Sequence, residues 1–434
     1  MRFTATRGSM SVGQSQGGLP PDHVVENEAF ILKETQRLIE THHDARFGAM
    51  THVAVAPCSP FSVSQDLMRT SAELARAHGV RLHTHLAEND HDIAYTQEKF
   101  NCTPAQYAQD LGWVGEDVWH AHCVKLDEAG TYLFAKTRTG IAHCPCSNMR
   151  LASGILPLRK MLNAGVPVGL GVDGSASNDA GHLLNEARQA MLLARVGRAM
   201  DAPRQEQGRA VFGCDLGPAE MTPRDALKLA TRGGAQVLGR AHEIGQITPG
   251  FCADLAMFRT DTLSMAGAAV HDPVGALLLC ASDNADCTIV NGRVVVREGQ
   301  IATVDMGPLV ERHAQAPHPN APAIGSPLVR SPSGDQQIGH PPAQMRATLA
   351  ATDPRPAFAR FDSPPTWPRP GVLFAFQVAK TARWWRAIGR VAHPRLAPPP
   401  GPPNRAFATS CFPIAGLAQK LLLAPRARLA SGLR

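Results

Sequence analysis

Four stretches of this sequence carry side chains able to do hydrolytic chemistry. In Val80-Arg-Leu-His-Thr-His-Leu-Ala-Glu88, the imidazole of His85 stands three residues before the carboxylate of Glu88. That pairing suits hydrolysis at a metal, where an imidazole holds the ion and a carboxylate moves the proton. His120 and His122 follow in Val118-Trp-His-Ala-His-Cys-Val124, and His143 opens His143-Cys-Pro-Cys-Ser-Asn148. Asp173 closes the apolar run that begins at Val166. An aspartate at the end of a buried strand is poorly tolerated unless it binds something. Each group also has a plainer use: a hydrogen-bonded core histidine, a thiol serving as a small hydrophobe, an aspartate capping a turn. Cys144 and Cys146 lie one residue apart with no second pair nearby, which makes a poor structural zinc site.

These groups need a scaffold, and the pattern around them supplies one. Val80, Leu82, Thr84 and Leu86 alternate with Arg81, His83 and His85, the period of a strand. His83 and His85 therefore share a face, and so do His120 and His122 on the next strand. The alternation begins with a short strand over Arg2–Thr6 and a Gly/Ser/Pro-rich loop to Pro21. A helix is expected at about Val25–Thr41, a strand at Val53–Cys58, and a helix capped by Ser64 and ended by Gly79. After the His85 strand, helical segments fill much of Ile93–Leu111, and further βα units run to a strand at Val166–Val172. Six strands precede Asp173, and each candidate polar group lies at a strand's carboxyl end, where βα barrels place their active sites. Helices at about Ala180–Val196 and at Pro223–Thr231, capped by Thr222, follow.

Beyond Gly245 the grammar changes to strands joined by turns, with Asn291-Gly292 a strong hairpin signal. From about Ala316 the chain is low in complexity. The expected organisation is a βα barrel over 1–242, a small β domain over 243–315 and a disordered tail over 316–434.

The net charge of +6 divides unevenly. Residues 316–434 hold 15 Lys/Arg against 3 Asp/Glu and 21 of the 35 prolines, leaving 28 against 34 in residues 1–315. The body is thus mildly acidic, and the basic balance implies no nucleic-acid surface on it. No apolar run is long enough for a membrane span, and the start has no secretory pattern. Ten scattered cysteines in a chain this large point to reduced thiols and the cytoplasm.

Taken together and in this order, the motifs resemble those of the amidohydrolase superfamily, in its branch of zinc-dependent aminohydrolases acting on purines and triazines. The matching stretches are Arg7-Gly-Ser-Met-Ser, Ala56-Pro-Cys-Ser-Pro-Phe61, His85-Leu-Ala-Glu88, Ala121-His-Cys-Val124, His143-Cys-Pro and Gly171-Val-Asp-Gly-Ser-Ala-Ser-Asn178. Ile247–Leu255 and Val290–Val295 match the closing β domain. The resemblance implies a metal-dependent-hydrolase βα barrel with zinc as cofactor. It implies His85 and Asp173 as zinc ligands, Glu88 as proton shuttle, Asp173 as relay for a second proton, and His122 as the group orienting water or substrate. Arg7, Cys58 and His122 fall at substrate-binding positions. The implied substrate is an amino-substituted purine or triazine. Cys58 favours 8-oxoguanine, giving urate and ammonia, over an N-alkylated hydroxytriazine. A homo-oligomer is compatible with the resemblance.

One departure carries its own expectations. The branch opens with a strand ending in His-x-His that supplies two zinc ligands, and this chain has none in that place. The barrel is therefore expected to lack its first two strands, and the chain by itself to be close to inactive, with an upstream segment restoring it. The alternative expectation is a non-catalytic remnant or binding protein.

Overall fold

The computed structural model describes residues 1–207, 209–280 and 284–315; the expected tail lies outside them. Six strands form one parallel sheet in chain order: β1 (Phe3–Ser9), β2 (Thr51–Pro57), β3 (Arg81–Leu86), β4 (Val118–His122), β5 (Gly140–His143) and β6 (Val168–Leu170). Helices occupy the crossovers: α1 (Glu28–His42), α2 (Gln65–Ala77), α3 (Asp90–Phe100), α4 (Pro104–Asp110), α5 (Glu128–Thr137), α6 (Pro145–Arg150) and α7 (Leu158–Ala164). The helix α8 (Leu183–Ala199) follows β6. Parallel neighbours joined by helices are what alternating strand and helix patterns dictate, because a parallel pair needs a long crossover.

Local chemistry sets the helix boundaries. Ser64 Oγ accepts from Leu67 N at 3.0 Å to start α2, and Gly79 closes that unit at φ 64°. Asp127 caps α5 in the same way. The one helix the sequence pattern failed to reveal in this half is α6, six residues long with Pro145 in its first turn. The core lies between sheet and helices, where Leu82, Val118, Ile141 and Val168 meet Leu67, Phe134, Met161 and Met191. The expected strand over Val166–Val172 is cut to β6, which pairs with β5 only over Ile141–His143. A π-helical turn at Leu229–Gly233 comes backbone to backbone with β6, so that a Cβ on Gly233 would sit 2.2 Å from the Val168 carbonyl oxygen. That turn links α9 (Pro223–Lys228), begun by a Thr222/Asp225 capping box, to α10 (Gly234–Val237). A short hairpin, β7 (Arg204–Glu206) and β8 (Arg209–Val211), precedes them and carried no sequence signal.

The small sheet pairs β9 (Leu255–Met257), β10 (Cys287–Val290), β11 (Arg293–Arg297) and β12 (Gln300–Ile301) antiparallel, in the order β12-β11-β10-β9. Asn291 and Gly292 turn the hairpin at φ 46° and 81°, as a tight turn of the type that matches strand twist requires. Between β9 and β10 the chain forms α11 (Ala268–His271) and α12 (Pro273–Leu279), whose Val274, Leu277 and Leu278 join the main core rather than the small sheet. The stretch 243–315 is thus not purely β.

A buried polar knot ties the sheet's amino end together. Arg240 and Glu243, each 1% exposed, form an ion pair. Arg240 Nη2 donates to the Ala49 carbonyl at 2.8 Å, and Arg2 Nη1 donates to the same oxygen at 2.7 Å. Arg2 also pairs with Asp254, whose Oδ1 accepts Asn291 N at 2.8 Å. The chain before β1, the loop before β2 and the small sheet are pinned at one point. No helix among the described residues is long and apolar enough to cross a membrane. The first unit ends at Thr303; the second, from Val304, contains α13 (Met306–Gln315).

Candidate active site

At the other end of the sheet, the carboxyl ends of β3 to β6 bring four of the expected residues together. His85 and His122 stack with ring centroids 5.4 Å apart. His122 Nε2 lies 3.7 Å from Glu88 Oε2 and 3.9 Å from Asp173 Oδ2. Both carboxylates therefore approach the same ring nitrogen, each at a distance too long for a direct hydrogen bond.

Strained backbone aims these side chains. Ala87, His122, Cys123 and Asp173 have φ of 50°, 69°, 56° and 61°. For residues with a Cβ this region costs about 1–2 kcal/mol each, and such strain collects where function over-determines the geometry. At His122 it also corrects the sequence reading, which put His120 and His122 in one environment. His120 stacks on Phe134 of α5 and contacts the Trp113 carbonyl at 2.9 Å, so it belongs to the helix layer. The left-handed turn at His122 and Cys123 breaks the strand's alternation and carries His122 into the site instead.

His83 and His85 do share a face, and both line a cavity of about 310 Å³ with Thr6, Gly8, Glu26 and Cys58. His83 stacks on Trp119 at 4.9 Å, and the Arg81 guanidinium lies 5.9 Å from that ring's centre. His85 Nδ1 lies 2.7 Å from the Cys58 carbonyl oxygen, leaving Nε2 toward the site. Burial opposes charge on His85, but the Cys58 thiol and carbonyl, then Asp173, outweigh it and hold the pKa at about 9. Burial depresses His122 to about 4 and His143 to about 3, so both are neutral near pH 7. Burial and the nearby Asp92 raise the Glu88 carboxyl. A carboxyl raised in this way is suited to take a proton and give it back. Asp173 behaves oppositely. Burial pushes it up, but hydrogen bonds from Ser147 Oγ at 2.6 Å and Gly174 N at 2.7 Å win and lower it.

Arg7 is placed apart from this cluster. Its Nη2 is held by both Glu26 oxygens at 2.9 Å, with the guanidinium 5.7 Å from the Phe30 ring centre, so it meets the cavity only through Glu26. The Cys144 thiol donates to the Ala142 carbonyl, while the Cys146 backbone N–H donates to Glu186. Residues that sequence reasoning left without a role are Ser147, Asn148, Ser177 and Asp92. Ser177 donates to Asp173 Oδ2 at 3.2 Å, and Asp92 Oδ2 accepts the Glu88 backbone N–H at 2.7 Å. Pro145, a helix-starting signal just after His143, was the clue to Ser147 and Asn148.

His85 Nε2 and the Asp173 carboxylate are the donor types zinc takes, and the carbonyl on His85 Nδ1 is how a ligating histidine is usually oriented. Among the described residues, however, no group of three or more His, Cys, Asp or Glu is placed to hold a metal. Two donors fall short of the three that a catalytic zinc site requires. These residues do not by themselves complete a zinc site.

The sequence pattern of the amidohydrolase family matches residues 1–295. The chain is 44% identical over 316 residues to an 8-oxoguanine deaminase of Pseudomonas aeruginosa, covering 73% of this chain and 66% of that protein. It is 35% identical over 306 residues to a hydroxydechloroatrazine ethylaminohydrolase of Pseudomonas sp. strain ADP, covering 70% and 60%. The crystal structure of an atrazine chlorohydrolase from Arthrobacter aurescens complexed with zinc superposes with a TM-score of 0.66 at 32% identity, covering 73% of this chain and 66% of that one. The chain spans less than two thirds of the length of these relatives. The parallel strands in chain order, the polar groups gathered at their carboxyl ends and the match over both the large and the small sheet have one explanation: the chain belongs to the amidohydrolase family.

Proposed function

We propose that this site serves the zinc-dependent hydrolytic deamination of an amino-substituted N-heterocycle, with 8-oxoguanine the leading substrate and urate and ammonia the products. The observation that supports it is the convergence of His85, Glu88, His122 and Asp173 at one end of the sheet, with both carboxylates close to His122 Nε2. Their environments push the two carboxyls apart, Glu88 up and Asp173 down. Such a split assigns acid–base roles. Glu88 accepts a proton and returns it to a ring nitrogen, while Asp173 stays ionised until it relays the second. His122, neutral and wedged between them, hydrogen-bonds the substrate. Cys58 and Arg7, the latter through Glu26, shape the cavity beside His85. Zinc, when present, would supply a Lewis acid and an acidified water. His85 and Asp173 are the donors this chain offers it, and the rest of the donor set would come from outside the described residues. Free thiols at all nine described cysteines suit a reducing compartment, and we place the protein in the cytoplasm.

Purified protein loaded with zinc should bind 8-oxoguanine and, where the donor set is complete, release ammonia and urate. Glu88→Gln should keep the metal and lose turnover. A protein with a complete zinc donor set that forms no urate, or full turnover in Glu88→Gln, overturns the reading. The relatedness to the ethylaminohydrolase carries a second reading, an N-alkylated hydroxytriazine as substrate, which the same assay distinguishes by the amine released.

A further inference from the structure

Adjacent residues of the short helix α6 reach two different site residues. Ser147 Oγ donates to Asp173 Oδ2 at 2.6 Å, and Asn148 Nδ2 lies 3.0 Å from His122 Nδ1. The amide nitrogen of Asn148 carries hydrogens and has no acceptor lone pair, so it donates and His122 Nδ1 accepts. An imidazole whose Nδ1 accepts must carry its proton on Nε2, because a neutral ring has one N–H. That Nε2 is the atom between Glu88 Oε2 and Asp173 Oδ2. Asn148 and His122 are each 1% exposed, so solvent does not compete for the bond. A lone pair on Nε2 would face two carboxylates and be repelled; an N–H there is attracted.

We propose that Asn148 is a positioning residue that fixes His122 as the Nε2–H tautomer, so that the ring presents a donor to the polar atom seated between Glu88 and Asp173. Ser147 completes the same bracket by holding Asp173 Oδ2, so one turn of α6 sets the hydrogen-bonding sense of two site residues from different strands. The use of this device rests on the deaminase reading. The tautomer does not.

The test is nitrogen NMR of histidine-labelled protein, with the His122 signals assigned by loss in His122→Gln. In the unsubstituted protein, His122 Nδ1 should resonate as an unprotonated nitrogen and Nε2 as a protonated one. Asn148→Asp keeps the shape but offers only acceptors, so the two should exchange roles. If the deaminase reading holds, the same variant should lose roughly 10²–10⁴-fold in kcat with KM little changed, the span of a misplaced acid–base group. A protonated Nδ1 in the unsubstituted protein overturns the proposal, and that spectrum alone can do so if Asn148→Asp does not fold. An unchanged tautomer in a folded Asn148→Asp also overturns it. The expected tautomer in a protein whose zinc donor set is complete but which releases no ammonia leaves the bracket standing and removes the deaminase reading. Ammonia release with the opposite tautomer does the reverse.

Discussion

The two ends of the six-stranded sheet are built on opposite rules. At the amino end, Arg2, Asp254, Arg240 and Glu243 meet the Gly48 and Ala49 backbone in a knot where charge faces charge and carbonyls find donors. At the carboxyl end, four residues with a Cβ sit at positive φ, and buried atoms of Glu88, His143 and Asn148 have no partner among the described residues. Stability is invested at one end, and binding capacity is held open at the other. An unpartnered polar atom in a buried site is costly unless a ligand completes it; His52 Nε2 near the floor lacks a partner too, so it is the orphans together with the left-handed backbone that mark which end works.

The contrast can be broken at its strongest point first. Glu88→Gln at the mouth should lower turnover by about 10²–10⁴-fold while leaving thermal stability equal or higher, since it removes a desolvated carboxyl with an unpartnered oxygen. Parallel assays of ammonia release and melting temperature check it, and a large loss of stability would show the mouth to be structural.

Next comes the floor. Arg240→Met should cost about 3–5 kcal/mol, because it removes the guanidinium paired with the buried Glu243 carboxylate and its bond to the Ala49 carbonyl. Urea unfolding reads this directly. A cost under about 1 kcal/mol would mean the knot is solvated and would erase half of the comparison.

Acid should separate the ends more gently. Burial sets His83 at about 3, His122 at about 4 and His143 at about 3, against about 6.5 in the unfolded chain. Above pH 6.5 both states of these three are neutral and they contribute nothing, whereas His85, raised to about 9, contributes stability that is lost as pH climbs from about 6.5 to about 9. Below it the unfolded chain takes up protons that the folded one refuses, so stability falls as pH drops toward 4. The slope is up to about 1.4 kcal/mol per pH unit for each histidine. His52, near the floor, adds one of the same sign, at about 4. Melting temperatures from pH 7 to 5 should therefore decline, and more shallowly in His143→Asn; equal slopes would remove His143 from the account.

The smallest effect tests the strain itself. Arg138 ends α5 at φ 59°, away from the mouth, where a left-handed residue serves only as a helix stop. Arg138→Gly should gain up to about 1 kcal/mol by relieving it. His122→Gly relieves the same kind of strain yet should abolish activity. If both behaved alike, positive φ at the mouth would carry no functional meaning.

By itself the sequence determined the order of the strands, most helix starts and which four stretches carry chemistry. Those features are local: a two-residue period in Arg81–Leu86, a serine before α2, a proline and glycine punctuation that short-range sterics enforce. It missed what depends on contact between distant segments. β6 is cut to three residues because its partner β5 offers only Ile141–His143 to pair with, and the close approach of Gly233 to Val168 was likewise invisible along the chain. Helices α11 and α12 interrupt the small sheet because their apolar faces find the main core. The same holds at the site. Strand period alone put His120 beside His122, whereas the left-handed backbone at His122 sends the two to different layers. The resemblance implied Asp173 and Glu88 as acid–base groups, but only their neighbours, Ser147 and Gly174 for one and Asp92 and burial for the other, set one carboxyl low and the other high. Pattern is written along the chain, while dielectric, strain and hydrogen-bond sense belong to the packed interior, and that is where tertiary structure had the last word.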